Sequence, residues 1–124
     1  MKTRDRAFEI IGANRDSEII ITCDHASNRV PDEVGGGCLG LSPDEMDRHI
    51  AFDVGATGVS LRLGEKLNAP VILSRFSRLV IDPNRGEDDP TLIMQLYDGT
   101  IIPGNRHLSE ADRAWRLDHL YRPY

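Results

Sequence analysis

Glu18-Ile19-Ile20-Ile21-Thr22-Cys23-Asp24-His25 is an apolar, β-branched run that stops abruptly at a carboxylate and an imidazole. Such a run reads as a central strand of an α/β sheet, buried on both faces. Val71-Ile72-Leu73 and Leu79-Val80-Ile81 have the same character and are read as the second and third strands. Between the first two strands, Asp53 to Leu67 carries Ala56, Val59, Leu63 and Leu67 at spacings of three and four, the pattern of a helix with that face toward the core. Strand, helix and strand in this order predict a right-handed βαβ crossover. The expected fold class is therefore α/β, a small three-layer sheet with flanking helices.

The rest of the chain supports a single compact unit over 1–124. Gly55, Gly58 and Gly64 each lower helix propensity by about 1 kcal/mol against alanine, tolerable where a close neighbour needs the room. Asn68-Ala69-Pro70 ends that helix. Ser42-Pro43-Asp44-Glu45 combines an N-cap serine, a proline at the first helical position and a capping-box glutamate, starting a short helix toward Arg48 or Ile50. Residues 31–40 read as a glycine-rich loop, and 85–105 as irregular chain with turns at Asp98-Gly99 and Pro103-Gly104. A last helix starts at Ser109 and is expected to bury Ala114, Leu117 and Tyr121. Three strands leave an unfinished sheet edge, which exposed chains normally avoid. The expectation is a fragment of a longer protein, or a homodimer that completes the sheet.

At 124 residues the chain is long enough for one domain with a real core. Its net charge of −5 argues against a nucleic-acid partner, which rewards clustered positive charge. No apolar run approaches the roughly 20 residues that span a bilayer. Met1 to Arg6 lead into no long apolar stretch, so no secretory signal is expected and the expected compartment is the cytoplasm. Cys23 and Cys38 make no recognisable zinc spacing and are expected to be reduced.

In open α/β sheets, ligands bind where strands end. His25 stands at such a place and is a candidate metal ligand, with Asp24 able to accept its other ring N–H. Asn28, three residues on, points the same way if the loop begins a helical turn; otherwise it is a turn or capping residue. His49 and Asp53 are spaced by four and share a face on a continuous helix, making them a candidate ligand pair. Each also suits a helix end, histidine at the close and aspartate at the start. His107 and His119 read as surface residues. Arg78, Asp82, Asn84 and Arg85 form a denser cluster: the guanidiniums suit a carboxylate or a polarised carbonyl, Asp82 can hold one of them, and Asn84 can donate to a substrate oxygen. The bland alternative is a structural Asp–Arg pair beside a Pro-Asn turn. Together these groups suggest metal-assisted hydrolysis of an acidic substrate.

Asp24-His25-Ala26-Ser27-Asn28, His49-Ile50-Ala51-Phe52-Asp53, Ser77-Arg78 with Asp82-Pro83-Asn84-Arg85, and Asp98-Gly99-Thr100-Ile101-Ile102-Pro103-Gly104-Asn105 closely resemble the N-formylglutamate amidohydrolase family, in order and spacing. The resemblance runs from about Ile19 to Tyr124. It implies a zinc-dependent hydrolase of phosphorylase/hydrolase-like fold that cleaves N-formylglutamate to formate and glutamate in histidine breakdown, with distant similarity to zinc carboxypeptidases and aspartoacylase-like deacylases. Carried across, His25 is the first Zn2+ ligand. Asn28 stands where those relatives have a ligating glutamate, and Asp53 is the candidate to replace it. Asp82, Asn84 and Arg85 match the substrate-binding motif, Arg85 gripping the substrate carboxylate and Arg78 polarising the scissile carbonyl as the catalytic residue. One good oxyanion donor is worth on the order of 3 kcal/mol. Family members run to roughly twice this length. The chain then corresponds to the N-terminal part of one such domain, without the later His ligand and the acid/base carboxylate. Two other readings stay open: a truncated, non-catalytic binding or assembly module, and a deacylase of another N-acyl amino acid.

Overall fold

The computed structural model describes residues 7–124. Its sheet has three strands: β1 (Phe8–Ile11), β2 (Ile21–Cys23) and β3 (Val71–Ser74). Their order is β1-β3-β2, with β2 parallel and β1 antiparallel to β3. β3 is thus the centre, and Val71 and Leu73 are buried. The run read as the central strand lies instead at an edge. Only Ile21–Cys23 pair, while Ile19 and Ile20 are 50% and 63% exposed. The pairing partner that displaces it from the centre is β1, whose Phe-Glu-Ile-Ile alternation gave no strong strand signal.

The strand–helix–strand unit forms as expected. Its helix, α2 (Ala56–Leu67), follows the short α1 (Pro43–Met46), whose Ser42–Glu45 capping box is present. α2 packs on β2 and β3 above Cys23, Val71 and Leu73. It meets them through Ala56, Ser60, Leu61 and Gly64, not through the Val59, Leu63 and Leu67 stripe that the periodicity assigned to the core. Gly64 explains the rotation. A Cβ there would lie 2.3 Å from Val71 Cγ2, so only glycine lets the helix approach the sheet on this side.

Leu79-Val80-Ile81 is wholly buried, yet it is a turn and not a third strand. Buried backbone needs partners wherever it finds them. Here Ser77 accepts from the Leu79 and Val80 amides, Asn105 Nδ2 donates to the Leu79 carbonyl at 2.7 Å, and Arg116 Nη1 donates to the Val80 carbonyl at 2.9 Å. Arg116 also holds Asn105 Oδ1 at 2.7 Å. Side chains from the C-terminal third thus do the work of a neighbouring strand. Around this turn Leu39, Ile50, Phe76, Leu92, Ile102 and Leu120 form the main core.

The segment read as irregular contains a hairpin, β4 (Leu96–Tyr97) and β5 (Thr100–Ile101). Asp98 and Gly99 at its tip both have positive φ, 48° and 74°, as a two-residue hairpin turn requires. α3 (Glu110–Arg116) starts at the Ser109 N-cap and continues as a π-helical turn over Leu117–Tyr121. Its buried residues are Arg116 and Leu120; Ala114 is exposed and Leu117 and Tyr121 are half-buried. Cys23 is buried, Cys38 exposed, and both are free thiols. No helix among the described residues is long and apolar enough to cross a membrane.

The two glycines of α2 should respond oppositely to substitution. Nothing lies within 4 Å of a Cβ built at Gly58, so Gly58→Ala should stabilise the chain by about 0.5–1 kcal/mol. Gly64→Ala should destabilise it by roughly 1–3 kcal/mol, because Val71 and the Ala69 carbonyl block the methyl group. Urea denaturation of both variants checks this; a neutral Gly64→Ala would mean that α2 does not pack as described.

Candidate active site

β2 ends at Cys23, and two residues later His25 turns back with φ 58°, a left-handed conformation uncommon for a residue with a Cβ. Its neighbours hold it there. The Asp53 amide donates to the His25 carbonyl at 2.9 Å, the Ala26 amide donates to Ser74 Oγ at 3.2 Å, and Thr57 Oγ1 donates to the Ala26 carbonyl at 2.7 Å. Strain of this kind, of order 1–3 kcal/mol, persists only where surroundings over-determine it, and it gathers at functional positions.

The imidazole is buried, with a carboxylate at each nitrogen. Nε2 lies 2.6 Å from Asp82 Oδ1 and Nδ1 lies 3.2 Å from Asp53 Oδ2. Asp82 is itself buried and collects further donors: Arg78 Nη2 at 3.2 Å, Arg85 Nε at 3.2 Å and the Asn84 amide at 3.0 Å. Arg78 Nη1 reaches Asp53 Oδ1 at 3.3 Å, and its guanidinium lies 5.1 Å above the Tyr97 ring. Its buried Nε–H has no hydrogen-bond partner among the described residues. Arg85 is steadied by Thr91 Oγ1 at 2.5 Å. The Asn84 side chain is exposed.

Of the six residues singled out for the site, the side chains of His25, Asp53, Arg78, Asp82 and Arg85 meet, and Asn84 joins them through its backbone amide. The turn at 79–81 brings Arg78 and Asp82 together, so its unexpected geometry is what assembles the cluster. Other expectations change partners. Asp82, not Asp24, takes the second ring nitrogen of His25; Asp24 accepts from the Tyr124 hydroxyl at 2.6 Å. Asn28 donates to the Met46 carbonyl at 3.0 Å and ties the loop after β2 to α1. His49 pairs with Asp98 at 3.1 Å on the exposed hairpin tip, so it forms no pair with Asp53. The break between α1 and α2 removes the continuous helix their spacing assumed. Thr91 and Tyr97 were not foreseen. Only Tyr97 had a signal, its place in a hairpin marked by Asp98-Gly99.

Electrostatics follow from this packing. Burial, the largest single influence, pulls the His25 pKa down, but the hydrogen bond and charge of Asp82, with help from Asp53, outweigh both burial and repulsion from Arg78. The imidazole thus titrates above its ordinary 6.5. Burial also pushes Asp82 up, against the His25 hydrogen bond, the Asn84 amide and the charges of His25 and Arg78, which together lower the carboxyl to about 2. The cluster is a mutually stabilised ionic network, with Asp53 and the guanidinium edges at its open side.

Comparison with known proteins bears on what such a network is for. The N-formylglutamate amidohydrolase family model matches residues 17–124. A solved structure of a gene product from Agrobacterium tumefaciens superposes with a TM-score of 0.90 at 38% identity, covering 96% of this chain. The chain spans 46% of that protein's length. No curated protein matches.

The network should impose a stability window on the chain. A histidine with a raised folded pKa contributes fully below 6.5, and the contribution is lost as pH rises through the raised value. Asp82, lowered from 3.8, contributes fully above 3.8 and loses its contribution as pH falls toward 2. Stability from this pair should therefore be greatest between about pH 4 and 6. Denaturation midpoints across that range and beyond measure it. Asp82→Asn should flatten the alkaline limb; an unchanged limb would remove the His25–Asp82 pair as its cause.

Proposed function

The chain belongs to the N-formylglutamate amidohydrolase family, and on that premise we propose that the Asp82-centred cluster binds metal and substrate for hydrolysis of the amide of N-formylglutamate or a similar N-acyl acidic amino acid. The observation that carries the reading is the two-sided grip on His25. Two donors each about 2.0–2.1 Å from one tetrahedral zinc ion sit about 3.3 Å apart. His25 Nδ1 and Asp53 Oδ2 are 3.2 Å apart, whereas the 2.6 Å contact on Nε2 is a short hydrogen bond to a buried carboxylate. This matches the carboxylate–histidine–metal arrangement, in which the outer carboxylate fixes ring orientation and raises basicity.

His25 and Asp53 thus fit one side of a zinc site, with Asp82 behind the imidazole. A catalytic zinc normally takes three protein ligands and a water. Among the described residues no group of three or more His, Cys, Asp or Glu side chains is arranged to hold a metal; on this reading the third ligand would lie outside them. When bound, zinc would supply a water of lowered pKa and a charge that polarises the acyl carbonyl. The protein's own groups do the rest. Arg78 offers the Nη1 that it shares with exposed Asp53 to the oxygen that gains charge during attack. Arg85, held by Asp82 and Thr91, and Asn84 bind the carboxylate of the amino-acid end.

The shortage of ligands favours one other reading, a non-catalytic module that retains the motifs and binds the acidic ligand alone. Zinc binding separates the two. Under the hydrolase reading the metal displaces a proton from His25, so uptake should release up to one proton and tighten as pH rises toward 8. Calorimetry in buffers of different ionisation enthalpy measures this, and His25→Ala should abolish it. Absence of zinc binding by the protein with its site complete would leave only the module.

Hydrolysis of N-formyl-, N-acetyl- and N-succinyl-glutamate by the protein with its site complete tests the substrate class. Arg85→Ala should raise KM for the preferred substrate by about 10- to 100-fold, equivalent to roughly 1.4–2.8 kcal/mol of lost charge-assisted binding, with a smaller change in kcat. An unchanged KM would take Arg85 out of the substrate role.

A further inference from the structure

The Arg78 guanidinium is held more loosely by its carboxylates than its burial suggests. Its side chain is only 13% exposed. Yet its contacts with Asp53 Oδ1 and Asp82 Oδ2, 3.3 and 3.2 Å, are long for charge-assisted bonds, which run to about 2.7–2.9 Å. Its third kind of donor, the Nε–H, is buried without a hydrogen-bond partner among the described residues. Burying a donor in that state is costly unless some other electron-rich group compensates it. The group present is Tyr97. Arg78 Cζ lies over its ring, 5.1 Å from the centroid, within the reach of a cation–π contact. The two carboxylates take N–H groups at the guanidinium edge, and the ring face takes its charge.

Tyr97 ends β4, next to the hairpin turn, and the hairpin is anchored at both ends. At the tip, Asp98 Oδ2 lies 3.1 Å from His49 Nε2 and 3.6 Å from Arg48 Nη2, and Arg48 Nη1 donates to Thr100 Oγ1 at 2.8 Å. At the base, the Ile102 amide donates to the Gln95 carbonyl at 2.9 Å and Asn105 Nδ2 donates to the Met94 carbonyl at 2.7 Å. Met94 is buried, and its Sδ lies 3.9 Å from Arg85 Nη2. One stretch of chain thus sets a polarisable group against each guanidinium of the site, Met94 against Arg85 and Tyr97 against Arg78. The exposed pairs at the tip are individually weak. Their placement matters more, because they tie the hairpin to residues 48–49, just before Ala51. The Ala51 carbonyl accepts from the Arg78 amide at 3.3 Å and from Ser77 Oγ at 2.7 Å. Ring and guanidinium therefore hang from the same segment.

We infer that Tyr97 is a positioning residue, whose ring, carried by the anchored hairpin, fixes the direction of the Arg78 guanidinium. Without the ring, the long contacts to Asp53 and Asp82 leave that group free to swing toward solvent on the side of Asp53, whose side chain is 49% exposed. A donor that has to be re-aimed during reaction forfeits part of the benefit of preorganisation. This role presupposes the proposed function of Arg78 as donor to the reacting oxygen. It uses the ring of Tyr97 and not the hydroxyl.

Kinetics of the protein with its site complete and nuclear magnetic resonance of the chain test this together. Tyr97→Leu, which keeps an apolar side chain but no π face, should lower kcat by roughly 5- to 30-fold with KM nearly unchanged. Tyr97→Phe keeps the ring and should recover most of that loss. In an Arg78→Ala background, Tyr97→Leu should have little further effect, because the two side chains act as a unit. Ring currents give a readout independent of activity: the Arg78 Nε–H resonance should move in Tyr97→Leu and stay near its place in Tyr97→Phe. Equal losses in the Phe and Leu variants, a raised KM in place of a lowered kcat, an undiminished Tyr97→Leu effect without Arg78, or an unmoved Nε–H resonance would each overturn the inference. If Arg78→Ala lowers kcat while Tyr97→Leu does not, the role of Tyr97 alone is lost. If Arg78→Ala leaves kcat unchanged, the assignment of Arg78 to the reacting oxygen falls, and the role of Tyr97 with it.

Discussion

A carboxylate taken out of water is tolerated only if other charges and donors replace the water, and Asp82 sets that condition for the whole chain. Its two oxygens are shared among His25, Arg78, Arg85 and the Asn84 amide. Those residues sit on three separate stretches of backbone: the loop after β2, the turn after β3, and the segment beyond it. Removing any one partner leaves charge uncompensated in a desolvated place, which is costly. The segments are therefore pinned to one another by a single group. The left-handed backbone at His25 and the buried turn at 79–81 are consequences that the network can sustain.

That turn is held in its own right by Asn105 and Arg116, which lie in the C-terminal third. Burial lowers the Arg116 pKa to about 10, far too little to discharge it at neutral pH. A permanent cation thus caps buried carbonyls that a β-ladder would otherwise satisfy. The polar strut from α3 and the Asp82 network act on opposite ends of the same five residues, Arg78 to Asp82. Packing and site geometry are linked through this segment.

The charge balance of the cluster has chemical meaning. With His25 neutral, Arg78 and Arg85 face Asp53 and Asp82, two positive charges against two negative. A proton at His25 Nδ1 tips the region positive. A surplus of positive charge at such a place attracts anions more strongly than uncharged molecules.

Local chemistry was readable from the sequence: the capping box of α1, the parallel β2–α2–β3 unit, the turn at Asp98-Gly99 (though not the hairpin it closes), and the residue types that gather around Asp82. These depend on backbone preferences and on hydrophobic spacing within a few residues, which neighbours in the chain dictate. Tertiary structure decided which strand lies in the centre, which face of α2 meets the sheet, and that Leu79–Ile81 is a turn. Each was settled by a distant partner: β1 pairing with β3, Val71 against Gly64, Asn105 and Arg116 on the buried carbonyls. An apolar run says only that a segment leaves water. What it is hydrogen-bonded to once buried is a question of long-range geometry, and spacing along the chain carries no record of it.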